Sequence, residues 1–182
     1  MKNLPANFRH AAGFTLIELL VVIGILGILA SALVATINPF EQLNKAQDSN
    51  LKNASVEFLN ANIRYFTTHN AMPWDSVADG GAGCYGTSDL SAIALSTLGN
   101  CLTTLLNEGE IKQGFTTFNG LDKIFITEPS PQTSSQNDTT VCFMPVSKSQ
   151  QTDPTTVYAQ DGSTGANCKS TGGNNNCYWC AQ

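Results

Sequence analysis

The stretch Phe14–Ile37, FTLIELLVVIGILGILASALVATI, decides the fold: 24 residues in which Glu18 carries the only charge. At about 1.5 Å per residue a helix of this length reaches about 36 Å, enough to cross a hydrocarbon core of about 30 Å. It reads as a membrane-spanning helix. Residues Met1 to Gly13 ahead of it are polar and contain Lys2, Arg9 and His10 with no acidic residue. That basic flank places the N-terminus in the cytoplasm and the remainder of the chain outside. An ordinary secretory signal has an apolar stretch of about 7–15 residues followed by a small-residue cleavage site. Here the small residue, Gly13, comes first, so a cut after it would discard the charged leader and keep the helix on the mature chain.

Beyond Pro39 the sequence turns polar but keeps helical spacing. Leu43, Ala46, Leu51, Ala54, Phe58, Ala61 and Tyr65 recur mainly three and four apart and define one apolar stripe, with Lys45, Asp48, Lys52, Glu57 and Arg64 on the other face. The reading is one long helix from about Phe14 to His69, interrupted or bent near Asn38-Pro39, where proline removes an amide donor and disfavours helix at the residue before it. Asn70-Ala71-Met72-Pro73 ends it. Residues 73–87, with Pro73, four glycines and Cys84, read as a loop. The spacing of Leu90, Ile93, Ala94, Leu98, Leu102, Leu105 and Leu106 predicts a short amphipathic helix from Ser88 to Asn107, weakest at Gly99-Asn100. Strand-like runs follow at Lys123–Thr127, Thr140–Ser147, Thr155–Ala159 and Cys177–Ala181, predicting an antiparallel sheet with one face on the long helix. The expected class is α+β. Four segments result: a leader at 1–13, an apolar helix at 14–37, its amphipathic continuation at 38–70, and a globular head at 71–182.

Charged residues make up 13 % of the chain, against about 25 % in ordinary soluble domains. The formal charge is −5, and removing Lys2 and Arg9 with the leader brings it to −7, so bulk electrostatics does not attract nucleic acid. All six cysteines, Cys84, Cys101, Cys142, Cys168, Cys177 and Cys180, follow the apolar segment. An even count placed this way suggests disulfides formed in an oxidising compartment. Cys84 and Cys101 bracket the glycine-rich loop and are expected to pair. Side chains three apart on a strand point to opposite faces, so Cys177 and Cys180 need separate partners if the terminal run is a strand. Cys168, across a Gly/Asn-rich turn, then suits Cys177, and Cys142 suits Cys180. The main alternative pairs Cys142 with Cys168 and Cys177 with Cys180.

Gly13-Phe14-Thr15-Leu16-Ile17-Glu18 running into an unbroken apolar helix resembles the class III signal and N-terminal motif of type IV pilins, type II secretion pseudopilins and competence pseudopilins. Asn38-Pro39-Phe40-Glu41-Gln42-Leu43-Asn44-Lys45-Ala46 is similar to the segment that follows the span in many of them. The resemblance covers about residues 1–70. It implies that a membrane prepilin peptidase cuts after Gly13 and methylates the new amino group of Phe14. It also implies that the Glu18 carboxylate pairs with the Phe14 amino terminus of an adjacent subunit. Physics gives each residue a reason: glycine lets a protease approach the backbone closely, and a carboxylate in a bilayer costs up to about 2.5–3.5 kcal/mol, so Glu18 needs a partner.

The implied partners are like subunits in a helical filament, the prepilin peptidase, the inner-membrane assembly machinery and the membrane itself. The implied location is the cytoplasmic membrane for the precursor and the cell exterior for the filament. A pilus subunit serving adhesion, motility or DNA uptake is the leading expectation, ahead of a secretion pseudopilin. A monomeric anchored binding protein would have no need of Gly13 or Glu18. A redox enzyme built on Cys177-Tyr178-Trp179-Cys180 would want a helix after the motif to lower the thiol pKa, and the printed sequence ends two residues later. No hydrolase, zinc-protease or phosphate-loop motif is present, and no cofactor or metal is expected. Asn53 and Asn137 fit the glycosylation sequon.

Overall fold

The computed structural model describes residues 13–36, 38–75, 83–85, 90–128, 139–164 and 176–182. The chain divides into two compact units at Pro39. The first contains α1, Leu16–Thr36. Its described side chains are exposed along their whole length, as expected of a helix whose surroundings are not water.

The second unit opens with α2, Pro39–His69, where Pro39 occupies the first helical turn, the place where its missing N–H costs nothing. Leu51, Phe58 and Tyr65, seven apart, are fully buried, and Ala54 and Ala61 lie on the same side. Leu43 and Ala46, assigned to this stripe from the sequence, are exposed instead, because the covering layer does not extend to the first turns. Lys52, assigned to the polar face, stands 4.6 Å from the ring centre of Trp179, a cation–π contact.

Five strands form one antiparallel sheet in the order β1-β2-β3-β5-β4: β1 Leu90–Ala94, β2 Ile124–Glu128, β3 Thr140–Phe143, β4 Thr156–Tyr158 and β5 Tyr178–Ala181. Ile124, Ile126, Val141 and Phe143 on its inner face join the α2 stripe, Trp74, Leu95, Leu98 and Leu105 in one core. Between β1 and β2 lie a 3-10 turn at Leu95–Thr97, α3 at Gly99–Asn107, a single turn α4 at Gln113–Thr116 and a second 3-10 turn at Leu121–Lys123. Another single turn, α5 at Lys148–Gln151, precedes β4.

The predicted helix Ser88–Asn107 is therefore half right. Its second half is α3, which begins at Gly99, the predicted weak point. Its first half contains β1, and the cause is a bulge. Leu90 is opposite Glu128 and Ile93 is opposite Ile126, so three residues on β1 span two on β2. The extra residue lets Leu90 and Ile93 share a face at a spacing that mimics a helix. Ala92 takes up the distortion with φ of 51°, and its amide donates to Thr127 Oγ1 at 2.9 Å.

Asp48, also assigned to the polar face, is only 2 % exposed. Its carboxylate accepts from the Val146 amide (3.0 Å), the Ser147 amide (2.8 Å) and the Ser147 hydroxyl (2.5 Å), tying α2 to the segment after β3. Asp48→Ala would leave these donors unmatched, at a cost of about 2–4 kcal/mol. Denaturant unfolding of the full chain in detergent should show this as a lower midpoint. A midpoint within error of the unmodified protein would mean that the tie contributes nothing.

Candidate functional site

The entrance to α1 is built by three residues. Leu19 N–H donates to Thr15 carbonyl at 3.3 Å, which makes Thr15 the residue that opens the helix. Glu18 lies three positions further on. Its carboxylate accepts from the Thr15 amide at 2.9 Å and the Thr15 hydroxyl at 2.7 Å, while Thr15 Oγ1 accepts from the Glu18 amide at 3.3 Å. This reciprocal set is a capping box, which satisfies amide donors that have no partner within the helix. The sequence reading passed over Thr15, although the Thr-x-x-Glu spacing announces it. Glu18 thus has local partners within a single chain, and it remains exposed.

Gly13 and Phe14 precede the helix outside any regular element, and both are exposed. A Cβ added at Gly13 would meet nothing within 4 Å. Gly83 offers the contrast: its φ is +54° and a Cβ would collide with the Trp74 carbonyl, so the fold itself demands glycine there. No demand of that kind explains Gly13. Leu16–Val34 within α1 is long and apolar enough to cross a membrane.

In the head, Cys84 is bonded to Cys101 and Cys142 to Cys180. Cys142 and Cys180 are directly opposite on the neighbouring strands β3 and β5. Cys177 is also disulfide-bonded, and Cys168, the partner expected for it from the sequence, lies outside the described residues. With Cys180 held by Cys142, the Cys177-to-Cys180 motif does not close on itself. It therefore lacks the dithiol geometry of a redox site.

Other polar groups in the head have structural partners. The indole N–H of Trp74 donates to Glu128 Oε2 in the core. His69 stacks on Tyr65 with ring centres 4.0 Å apart and stands 3.8 Å from Glu108. Arg64 reaches both the carboxylate and the backbone carbonyl of Glu110. Among the described residues no group of three or more His, Cys, Asp or Glu side chains is placed to hold a metal ion. A groove of about 320 Å³ between α2 and α4 is lined by Asn50, Asn53, Glu57, Lys112, Phe115 and Phe118. It brings no nucleophile to a base. Asn53 of the first sequon is exposed on its rim, and Asn137 of the second lies outside the described residues.

Residues 8–34 match the family model described as the prokaryotic N-terminal methylation motif. This is the class III signal of type IV pilins and pseudopilins, and it spans the residues around Gly13, Phe14 and Glu18 together with most of α1. No curated protein matches the chain. Nor does any solved structure.

Proposed function

We propose that the chain is the precursor of a structural subunit of a type IV pilus-like filament. In this reading it is held in the cytoplasmic membrane by α1 with its head outside, cut after Gly13, methylated on Phe14, and assembled by packing α1 against the α1 helices of other subunits. The observation that carries the reading is the methylation motif over residues 8–34 running into a helix with one carboxylate and no covering layer. An apolar helix exposed all round is stable only in lipid or against other helices. Cohesion then comes from helix packing, and the filament exterior from the head. The freedom of space around Gly13 supports a requirement set by a protease rather than by the fold.

The Thr15–Glu18 capping box gives the carboxylate hydrogen bonds while the subunit waits in the membrane, which lowers the cost of keeping it there. In a filament the amino terminus of Phe14 on an adjacent subunit would supply the charge that Thr15 cannot.

Electron microscopy of cells making an epitope-tagged chain tests the proposal. Labelled surface filaments are expected. Short structures confined beneath the outer surface would favour a secretion pseudopilin, and dispersed membrane label without filaments would mean a monomeric anchor. Mass spectrometry of the mature protein should find Phe14 at the N-terminus with one added methyl group. Retention of Met1, or a cut beyond Ile37, would falsify the assignment of the cleavage site.

A further inference from the structure

The groove between α2 and α4 has two unlike walls. On α2, Asn50, Asn53 and Glu57 follow one another at helical spacing, so their side chains share one side of the helix, and all three are exposed. The facing wall carries Lys112, Gly114, Phe115 and Phe118. Both rings are fixed from behind. Phe115 is stacked on Phe58 of the core with ring centres 6.1 Å apart. A Cβ added at Gly120 would come within 2.8 Å of the Phe118 ring and 3.0 Å of Leu51, so Phe118 fills the place that a side chain at 120 would need.

Gly114 keeps the groove open. A Cβ at this position meets nothing within 4 Å, so the fold makes no demand for glycine, although glycine in a helical turn costs about 0.5–1 kcal/mol relative to alanine. The polar groups of the walls are unused. Among the described residues, the side chains of Asn50, Asn53, Glu57 and Lys112 have no hydrogen-bond or ion-pair partner. The carboxylate only accepts, the ammonium only donates, and each amide does both. One charge of each sign faces the groove, so a ligand with a net charge is attracted by one of them and repelled by the other. A zwitterion would use both charges and leave the two amides unmatched. A neutral ligand with several hydroxyls, each able to donate and accept, matches all four side chains.

We propose that the groove between α2 and α4 is a binding site for a neutral saccharide. The C–H face of a sugar ring lies against Phe118 and Phe115, and its hydroxyls bond to Asn50, Asn53, Glu57 and Lys112. An apolar surface with a few placed polar groups is the usual make-up of a small-ligand site, and the volume of about 320 Å³ lies at the small end of the range of about 300–1,000 Å³. The inference concerns the head alone. It goes beyond the filament reading and does not depend on it.

Saturation-transfer difference NMR on the full chain, held in a detergent without a sugar headgroup, tests the site. The probes are maltose, cellobiose, lactose, chitobiose and mannobiose, with the dipeptide alanyl-phenylalanine as the zwitterion. Saturable binding of at least one sugar is expected, and none of the dipeptide. Gly114→Leu puts a side chain into the opening and should abolish that binding, with an unfolding midpoint no lower than that of the unmodified chain. Asn53→Ala, on the exposed side of α2, should weaken it by about threefold to tenfold, the effect of one lost hydrogen bond. It keeps the test decisive if the first substitution disturbs folding. No saturable binding of any of the sugars would overturn the site, as would binding that survives Gly114→Leu in folded protein or Asn53→Ala unweakened. Capture of the dipeptide in place of the sugars would assign the groove to zwitterions and overturn the saccharide proposal.

Discussion

Glu18→Val should leave membrane insertion intact and cut the yield of sheared filaments by more than about tenfold, since breaking a buried charge pair costs about 3–5 kcal/mol and each 1.4 kcal/mol is a factor of ten. The substitution makes the span more apolar, so insertion becomes easier. It also removes the acceptor for the Thr15 amide and hydroxyl, which frays the start of α1 by an amount typical of a lost cap, about 0.5–2 kcal/mol. The larger effect belongs to assembly, where the amino terminus of an adjacent subunit would enter an apolar interior with no opposing charge. Glu18→Gln separates the two contributions, because an amide can accept from Thr15 but carries no charge. Membrane fractionation and filament yield need to be measured on the same cells. Filament yield that survives both substitutions would remove Glu18 from the assembly step.

The second large effect concerns the bond across β3 and β5. Cys142→Ala with Cys180→Ala opens a loop with a sequence separation of 38, against 17 for Cys84 and Cys101. The chain-entropy treatment gives about 4 kcal/mol for the longer loop and about 3 kcal/mol for the shorter. A head of ordinary stability has about 5–15 kcal/mol in total, so losing the longer bridge should shift the denaturant midpoint strongly and reduce accumulation of the protein in cells. The two double variants, unfolded under the same conditions, should rank in that order. The opposite ranking would mean that strain or residual order in the unfolded chain outweighs loop closure.

The N-terminal third was legible because its signals are local. A run of apolar residues, a basic flank and Gly13-Phe14 ahead of a lone carboxylate need no tertiary context, and α1, α2 and the strands β2 to β5 stand where periodicity and turn residues put them. The misreadings arise where distant parts of the chain meet. Leu90 and Ile93 counted as helical because a bulge against β2 changes a spacing of two into three. Asp48 counted as a surface charge because its partners, Val146 and Ser147, are nearly a hundred residues away. Leu43 counted as core because nothing in α2 itself reveals how far the covering layer extends. Thr15 is different in kind: its spacing to Glu18 is visible in the sequence, but Glu18 was given a partner only on an adjacent subunit and not within its own chain.

The bond between Cys142 and Cys180 also fixes how the head would behave under tension. A pull applied through α2 and borne at Ala181–Gln182 crosses the Cys84–Cys101 bond, follows the peptide chain to Cys142, crosses the second pair of sulfurs and resumes at Cys180. The chain between the two cysteines, a sequence separation of 38, carries no load, and about 130 Å of contour length stays locked out of any extension. α5, β4 and the outward-facing Met144 and Val146 all fall within that slack loop. α2, joined to it through Asp48, lies in the path of the force.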